Sequence, residues 1–278
     1  MAGGRSAARP PVGGVLSQLG RVAFTAAFTG FILGPFVVLG LWSVAQEWFW
    51  PSALPTVFTL RWYRWATVVP GILRSLRMSL IVAVLATVVT TAVALPAGFV
   101  LGRTQFPGRG LVRLLFALPL MVPYITLGIG IANVFYRLHL TGSVLGVVLA
   151  HTIATLPFGI LILTSAFEAL EPEVEEAALA CGANRWQAFR RISLPLLASA
   201  ILAQAVYVFT LSMDEFTLTL LVSGPETATL PVQIFASIGE GYFQISSALS
   251  VLLLLPSVLM VYLMVRFLRA DFLSAGGG

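Results

Sequence analysis

Carboxylates are the side chains of most chemical interest here, because they are few and bunched. Of eleven acidic residues, five fall in one short run at Glu168, Glu171, Glu173, Glu175 and Glu176, and two stand side by side at Asp214 and Glu215. Neither group comes with the companions that hydrolysis or metal binding needs. His139 and His151 lack HExxH-type spacing and read as an interface histidine and a packed helix histidine. Cys181 is the single cysteine, so no intrachain disulfide or cysteine-rich metal site can form. No GxSxG nucleophile turn occurs. All sixteen basic residues are arginine. Without lysine there is no Walker A loop, whose Gly-Lys-Ser/Thr holds nucleotide phosphates, so this chain is not a P-loop ATPase. The expectation is a chain that is no enzyme, with catalytic residues none, metal none and no cofactor of its own.

The elements that carry these carboxylates are hydrophobic. The chain has 278 residues, 58% of them apolar and 10% charged, where an average soluble domain carries about 25% charge. Apolar runs of about 20 residues, enough to cross a bilayer core, recur along its length. Helices are expected near 22–44, 78–102, 111–135, 143–167, 196–222 and 245–268, giving an all-α membrane protein with six transmembrane helices. Arg5, Arg9 and Arg21 precede the first apolar run as they would in a signal peptide. That run is too long for a typical signal core, and no clean A-x-A site follows, so it reads as a retained helix. The segment 45–77 is polar and aromatic, with Trp48, Trp50, Trp62, Tyr63 and Trp65 suited to a membrane interface. Arg74-Ser75-Leu76-Arg77 is expected to lead into the second helix along that surface.

Arginine bias sets the orientation. Arg5, Arg9, Arg21, Arg103, Arg109, Arg113, Arg185, Arg190, Arg191, Arg266 and Arg269 fall on one side, and Arg61, Arg64, Arg74, Arg77 and Arg137 on the other. The richer side is the cytoplasmic one, with both termini. The expected division is an N-terminal cytoplasmic tail at 1–21, a six-helix transmembrane domain at 22–270 and a C-terminal cytoplasmic tail at 271–278. Basic patches interleaved with aromatics are absent, so no nucleic acid is expected; the surface meets membrane lipid.

The glutamate run lies in the cytoplasmic loop 168–195, EALEPEVEEAALACGANRWQAFRRISLP. Pro172 fits the first turn of a helix, and the glutamates beside it favour the positive end of the helix dipole. Val174, Ala177, Ala178 and Cys181 recur at i, i+3, i+4 and i+7, one apolar face made mostly of small residues. Gly182 suits the stop, and Asn184 caps a second short helix, 185–193, with Trp186, Phe189 and three arginines. Such a segment either docks a partner or packs on its own helix ends; the physics alone leaves both open.

The loop resembles the EAA motif of ABC importer permeases: Glu-Ala-Ala, three residues, Gly, nine residues, Ile-x-Leu-Pro. Glu176, Ala177, Ala178, Gly182, Ile192, Leu194 and Pro195 match it without a gap. The resemblance implies the type I ABC importer permease fold, with the first short helix of the loop 168–195 as a cytoplasmic coupling helix. Those seven residues would be the ATPase-docking set, Gly182 permitting the turn and Ala177–Ala178 the close contact. It further implies a separate ATP-binding cassette ATPase dimer holding ATP and Mg, a second permease subunit (different or identical), an extracytoplasmic substrate-binding protein, and a prokaryotic inner membrane.

Asp214-Glu215 lies about 28 Å of helix beyond Pro195 at about 1.5 Å per residue, in the outer part of the membrane or at its edge. Carboxylates there are costly and usually face a polar cavity or a partner. The pair reads either as a cation-attracting site or gate, or as an ion pair with Arg74 or Arg77 or a hydrated interface position. Residues 212–238 resemble the second permease subunit of spermidine/putrescine-type importers, on Ser212, Asp214, Glu215, Gly224, Pro225, Leu230, Pro231 and Ile234. That implies polyamine transport, with Asp214, Glu215 and Tyr207 as the candidate substrate pathway or gate; aromatic faces suit a polycation. Permeases for ferric iron, thiamine, sulfate and phosphonates share parts of this pattern. A secondary transporter would need its own coupling-ion site, which the nearly charge-free middle of the helices does not offer.

Overall fold

A computed structural model describes residues 12–49 and 51–275. Arg5, Arg9 and Trp50, the outer parts of both expected tails and the side chain of Arg269 lie outside the described residues. The described chain is α-helical: α1 (Val12–Val44), α2 (Arg61–Val68), α3 (Pro70–Arg103), α4 (Arg109–Met121), α5 (Tyr124–Arg137), α6 (Val144–Ala169), α7 (Pro172–Ala180), α8 (Arg185–Ala188), a π-helical turn (Phe189–Ser193), α9 (Leu194–Leu196), α10 (Ala198–Met213), α11 (Thr217–Val222), α12 (Leu230–Gly239) and α13 (Phe243–Ala275). Four helices are individually long and apolar enough to cross a membrane, and two bent pairs bring the number to six when each pair counts as one span.

Three expectations about the helices are corrected. The second helix starts at Pro70, not 78, so Arg74 and Arg77 lie inside α3; proline at a first helical position loses no hydrogen bond. The third span is not one helix over 111–135. It breaks between α4 and α5 with a bend of 101°. Pro123 has no N–H and drives Val122 into an extended conformation, ψ 131°. The helix expected at 196–222 ends at Met213 and resumes as α11. Its entry is also bent, by 66° between Arg185–Leu196 and Ala198–Met213.

The core is built where α6 lies against α3 and α10. Glycines let α3 and α6 approach: a Cβ on Gly98 would stand 2.9 Å from that of Leu163, and one on Gly102 2.6 Å from that of Phe167. Lipid tails are as apolar as leucine, so close packing and interhelical hydrogen bonds, rather than water exclusion, hold spanning helices together. The hydrogen bonds are present. Thr90 and Thr155 hydroxyls meet at 2.9 Å, and Thr91 donates to Gln204 Oε1 at 3.0 Å. By contrast α1 buries none of its most apolar stretch, and side chains such as Phe31 stand open. Trp62 of α2 anchors the interfacial segment by donating to the Ala45 carbonyl at 2.7 Å.

Candidate functional site: a docking segment and a cavity between broken helices

The loop 168–195 folds as two short helices at a sharp turn. Pro172 opens α7, with Glu173 and Glu175 in its first turn. At its end Ala183 N–H donates to Ala178 O at 3.1 Å and Gly182 N–H to Leu179 O at 3.0 Å, the paired bonds of a Schellman stop. Gly182 takes φ +87° there, a left-handed conformation that a Cβ would strain. Asn184 then starts α8 with a capping box: its side chain accepts from Gln187 N–H at 2.8 Å, and Gln187 Oε1 accepts from Asn184 N–H at 2.9 Å. The second short helix does not continue in α-register to 193. Leu194 N–H reaches back five residues to Phe189 O, and Pro195, lacking an N–H, leaves the next rung empty. Ile192 thus lies within a π turn, a form enriched at functional sites, and Leu194 and Pro195 follow it.

The apolar face of α7 is open. Val174, Ala177 and Cys181 are exposed and Ala178 half-buried; Glu176 is exposed. Trp186, 66% exposed, stacks on Phe189 at 5.7 Å. Of the five glutamates only two are tied down. Glu168 pairs with Arg113 and, at 2.7 Å, with Arg109. Glu175 pairs with Arg103 at 3.2 Å and accepts from the Ser193 hydroxyl. Sequence reasoning had used these arginines only as topology markers and missed their partners. Nothing in the local sequence pairs residues 59 or 72 positions apart.

Asp214 and Glu215 sit in the gap between α10 and α11. Asp214 is the C-cap of α10 and exposed, whereas Glu215 is half-buried and accepts from Leu218 N–H at 2.7 Å, starting α11. Such side-chain bonding to nearby backbone competes with a continuing helix. Both line a cavity of about 340 Å³ together with Tyr124, His151, Thr155 and Phe158. Tyr124 opens α5 just after the Pro123 break, so two interrupted helices meet at one cavity. Tyr207 does not line it but packs edge-on against Phe158 at 5.5 Å. His151 is fully buried; its Nδ1 meets the Ser212 hydroxyl and its Nε2 the Thr219 hydroxyl, each at 2.7 Å. It thereby staples α10 to α11 across the gap. The expected alternative, neutralisation of the pair by Arg74 or Arg77, is not what forms. Arg74 pairs with Glu226, and among the described residues no salt bridge reaches Asp214 or Glu215. No cluster of three metal-binding side chains occurs among the described residues.

Residues 94–273 match the family described as "Binding-protein-dependent transport system inner membrane component". Among curated relatives, the sulfate transport system permease protein CysT of Escherichia coli (strain K12) is 28% identical over 208 residues, covering 69% of this chain and 75% of that protein. The spermidine/putrescine transport system permease protein PotC of the same strain is 27% identical over 250 residues, covering 89% and 93%. A crystal structure of a bacterial ABC transporter that imports the acidic polysaccharide alginate contains a chain of the same fold. Its TM-score is 0.72 at 17% identity, over 93% of this chain and 98% of that one.

Proposed function

The chain belongs to the family of binding-protein-dependent transport system inner membrane components, and on that premise we propose that it carries a polycation, a polyamine such as spermidine or putrescine, past Asp214 and Glu215. Its general role follows from membership: it is the permease subunit of an ABC importer, a multi-pass inner-membrane protein that forms the translocation pathway while a separate subunit hydrolyses ATP. The observation that carries the polyamine reading is the pair of carboxylates on the wall of the cavity where two broken helices meet, with no arginine among its lining residues. In secondary transporters interrupted helices line substrate sites because the freed backbone faces a cavity, and the same physics suits these two gaps to a solute path. Likeness to relatives does not select the substrate, since the sulfate and spermidine/putrescine permeases are about equally similar in identity. Two carboxylates disfavour an oxyanion by like-charge repulsion. Within the same architecture the alternatives are ferric iron and thiamine, both cationic, and, against that repulsion, a phosphonate.

In this reading the coupling segment is the ATPase contact. Glu176, Ala177, Ala178, Gly182, Ile192, Leu194 and Pro195 form the docking set, with the small open face of α7 entering a groove of the ATPase dimer. A second permease completes the pathway, and an extracytoplasmic binding protein delivers the solute. Both termini are cytoplasmic, with the transmembrane domain spanning 22–270 between the two tails. The test is ATP hydrolysis by the complex in liposomes with its binding protein, adding spermidine, putrescine, ferric ion, thiamine or a phosphonate in turn. Stimulation by the polyamines alone is expected. Stimulation by another solute instead would remove the polyamine reading and leave the importer intact.

A further inference from the structure

We propose that Arg103 is a positioning residue that carries movement of the coupling segment into α3, through an Arg103–Glu175–Ser193 link; the proposal rests on the docking role given above to that segment. Arg103 is the last residue of α3, where a cation also complements the helix dipole. Its side chain is only 11% exposed. One guanidinium nitrogen, Nη1, donates to the Leu170 carbonyl at 2.7 Å, at the junction of α6 with α7. The other, Nη2, lies 3.2 Å from Glu175 Oε1 in α7. That same carboxylate oxygen accepts from the Ser193 hydroxyl in the π turn that leads into α10. One side chain therefore meets the ends of α3 and α6 and the body of α7, and reaches the entry to α10 at one remove.

The link is built for transmission rather than for surface solvation. Glu171, Glu173 and Glu176 of the same run are exposed, and exposed ion pairs contribute little. The Arg103–Glu175 pair is shielded, and removing one partner of a shielded pair leaves the other charge uncompensated. Among the described residues no other side-chain hydrogen bond or ion pair joins α7 to α3. The neighbouring Arg109–Glu168 and Arg113–Glu168 pairs tie α4 to α6 and bypass α7. A cavity of about 200 Å³ lined by Phe99, Arg103, Glu175, Leu179 and Phe189 lies beside the link and gives the joint room to shift without breaking.

The experiment uses the full complex in lipid nanodiscs, with cysteine-free partner subunits. An environment-sensitive fluorophore is placed at Ile81→Cys in a Cys181→Ser background. Ile81 is exposed on α3, about 33 Å from Arg103 at about 1.5 Å per residue. ATP with orthovanadate should shift its emission in the background protein. Arg103→Ala and Glu175→Gln should each cut the shift by about fivefold or more, the lower end of coupling losses, while ATPase retention and basal hydrolysis stay within about twofold. Arg103→Lys should restore most of the shift. An undiminished shift in Arg103→Ala would overturn the proposal. So would a lost shift matched by equal loss of the bound ATPase, because the link would then merely hold the segment folded. Failure of the native chain, with Cys181 in place, to retain the ATPase would instead sink the docking role on which the proposal rests.

Discussion

Asp214 and Glu215 look equivalent as a dipeptide and are not equivalent in space. Glu215 uses an oxygen on the Leu218 N–H, while Asp214, more exposed at the end of α10, makes no such bond. Both amide substitutions remove only charge, but one Glu215 oxygen is already committed to that N–H, a bond glutamine can still accept. In spermidine uptake by the reconstituted complex, Asp214→Asn should lower the rate about tenfold, the factor that a loss of about 1.4 kcal/mol gives. Glu215→Gln should lower it less. Equal uptake in all three proteins would return the pair to a structural role. The carboxylates were legible in the sequence because charge is rare in a chain this apolar. Tyr124, Thr155 and Phe158 were not, since their place on the same wall depends on which breaks meet. His151 was legible as a packed residue, but its staple to Ser212 and Thr219 was not.

At the scale of elements, turn chemistry shaped the coupling segment as the residues said it would. Proline at the start, a left-handed glycine at the stop and an asparagine cap act within four or five residues, so the sequence contains all they need. The π turn was missed for a different reason. Pro195 announces a lost hydrogen bond, but whether the ladder ends or slips by one residue depends on what holds Phe189 and Ser193. Phe189 packs edge-on against Phe99 at 5.4 Å, and Ser193 is buried against Glu175. Gly182→Trp belongs to this scale. It combines a Cβ at φ +87° with a bulky ring where two short helices turn. Membrane insertion should persist, because the spans are untouched. Binding-protein-stimulated ATP hydrolysis should fall at least about a hundredfold, toward the upper range of coupling effects. Normal stimulation would refute the docking role of the turn.

At the scale of the whole molecule, orientation and assembly can be read with a probe the chain already carries. Cys181 is its single cysteine and is exposed on the coupling segment. A membrane-impermeant maleimide should label it in inside-out vesicles and not in right-side-out ones. Bound ATPase should slow that labelling. Labelling from the outside would reverse the topology. Unchanged labelling with the ATPase bound would move the docking face elsewhere.

The sequence alone determined the membrane class, the approximate spans and the short-range architecture of the coupling segment. Hydropathy, arginine bias and turn residues act locally or add up along the chain, so no partner needs to be known. Tertiary structure decided that the gaps in the third and fifth spans meet at one cavity. It also decided that Arg74 turns to Glu226 instead of the Asp214-Glu215 pair, and that Arg103 joins α3 to α7. Each of these is a contact between residues dozens of positions apart. Which of several arginines reaches which carboxylate is fixed only when glycines at 98 and 102 let α3 and α6 close together and set the register of the helix ends.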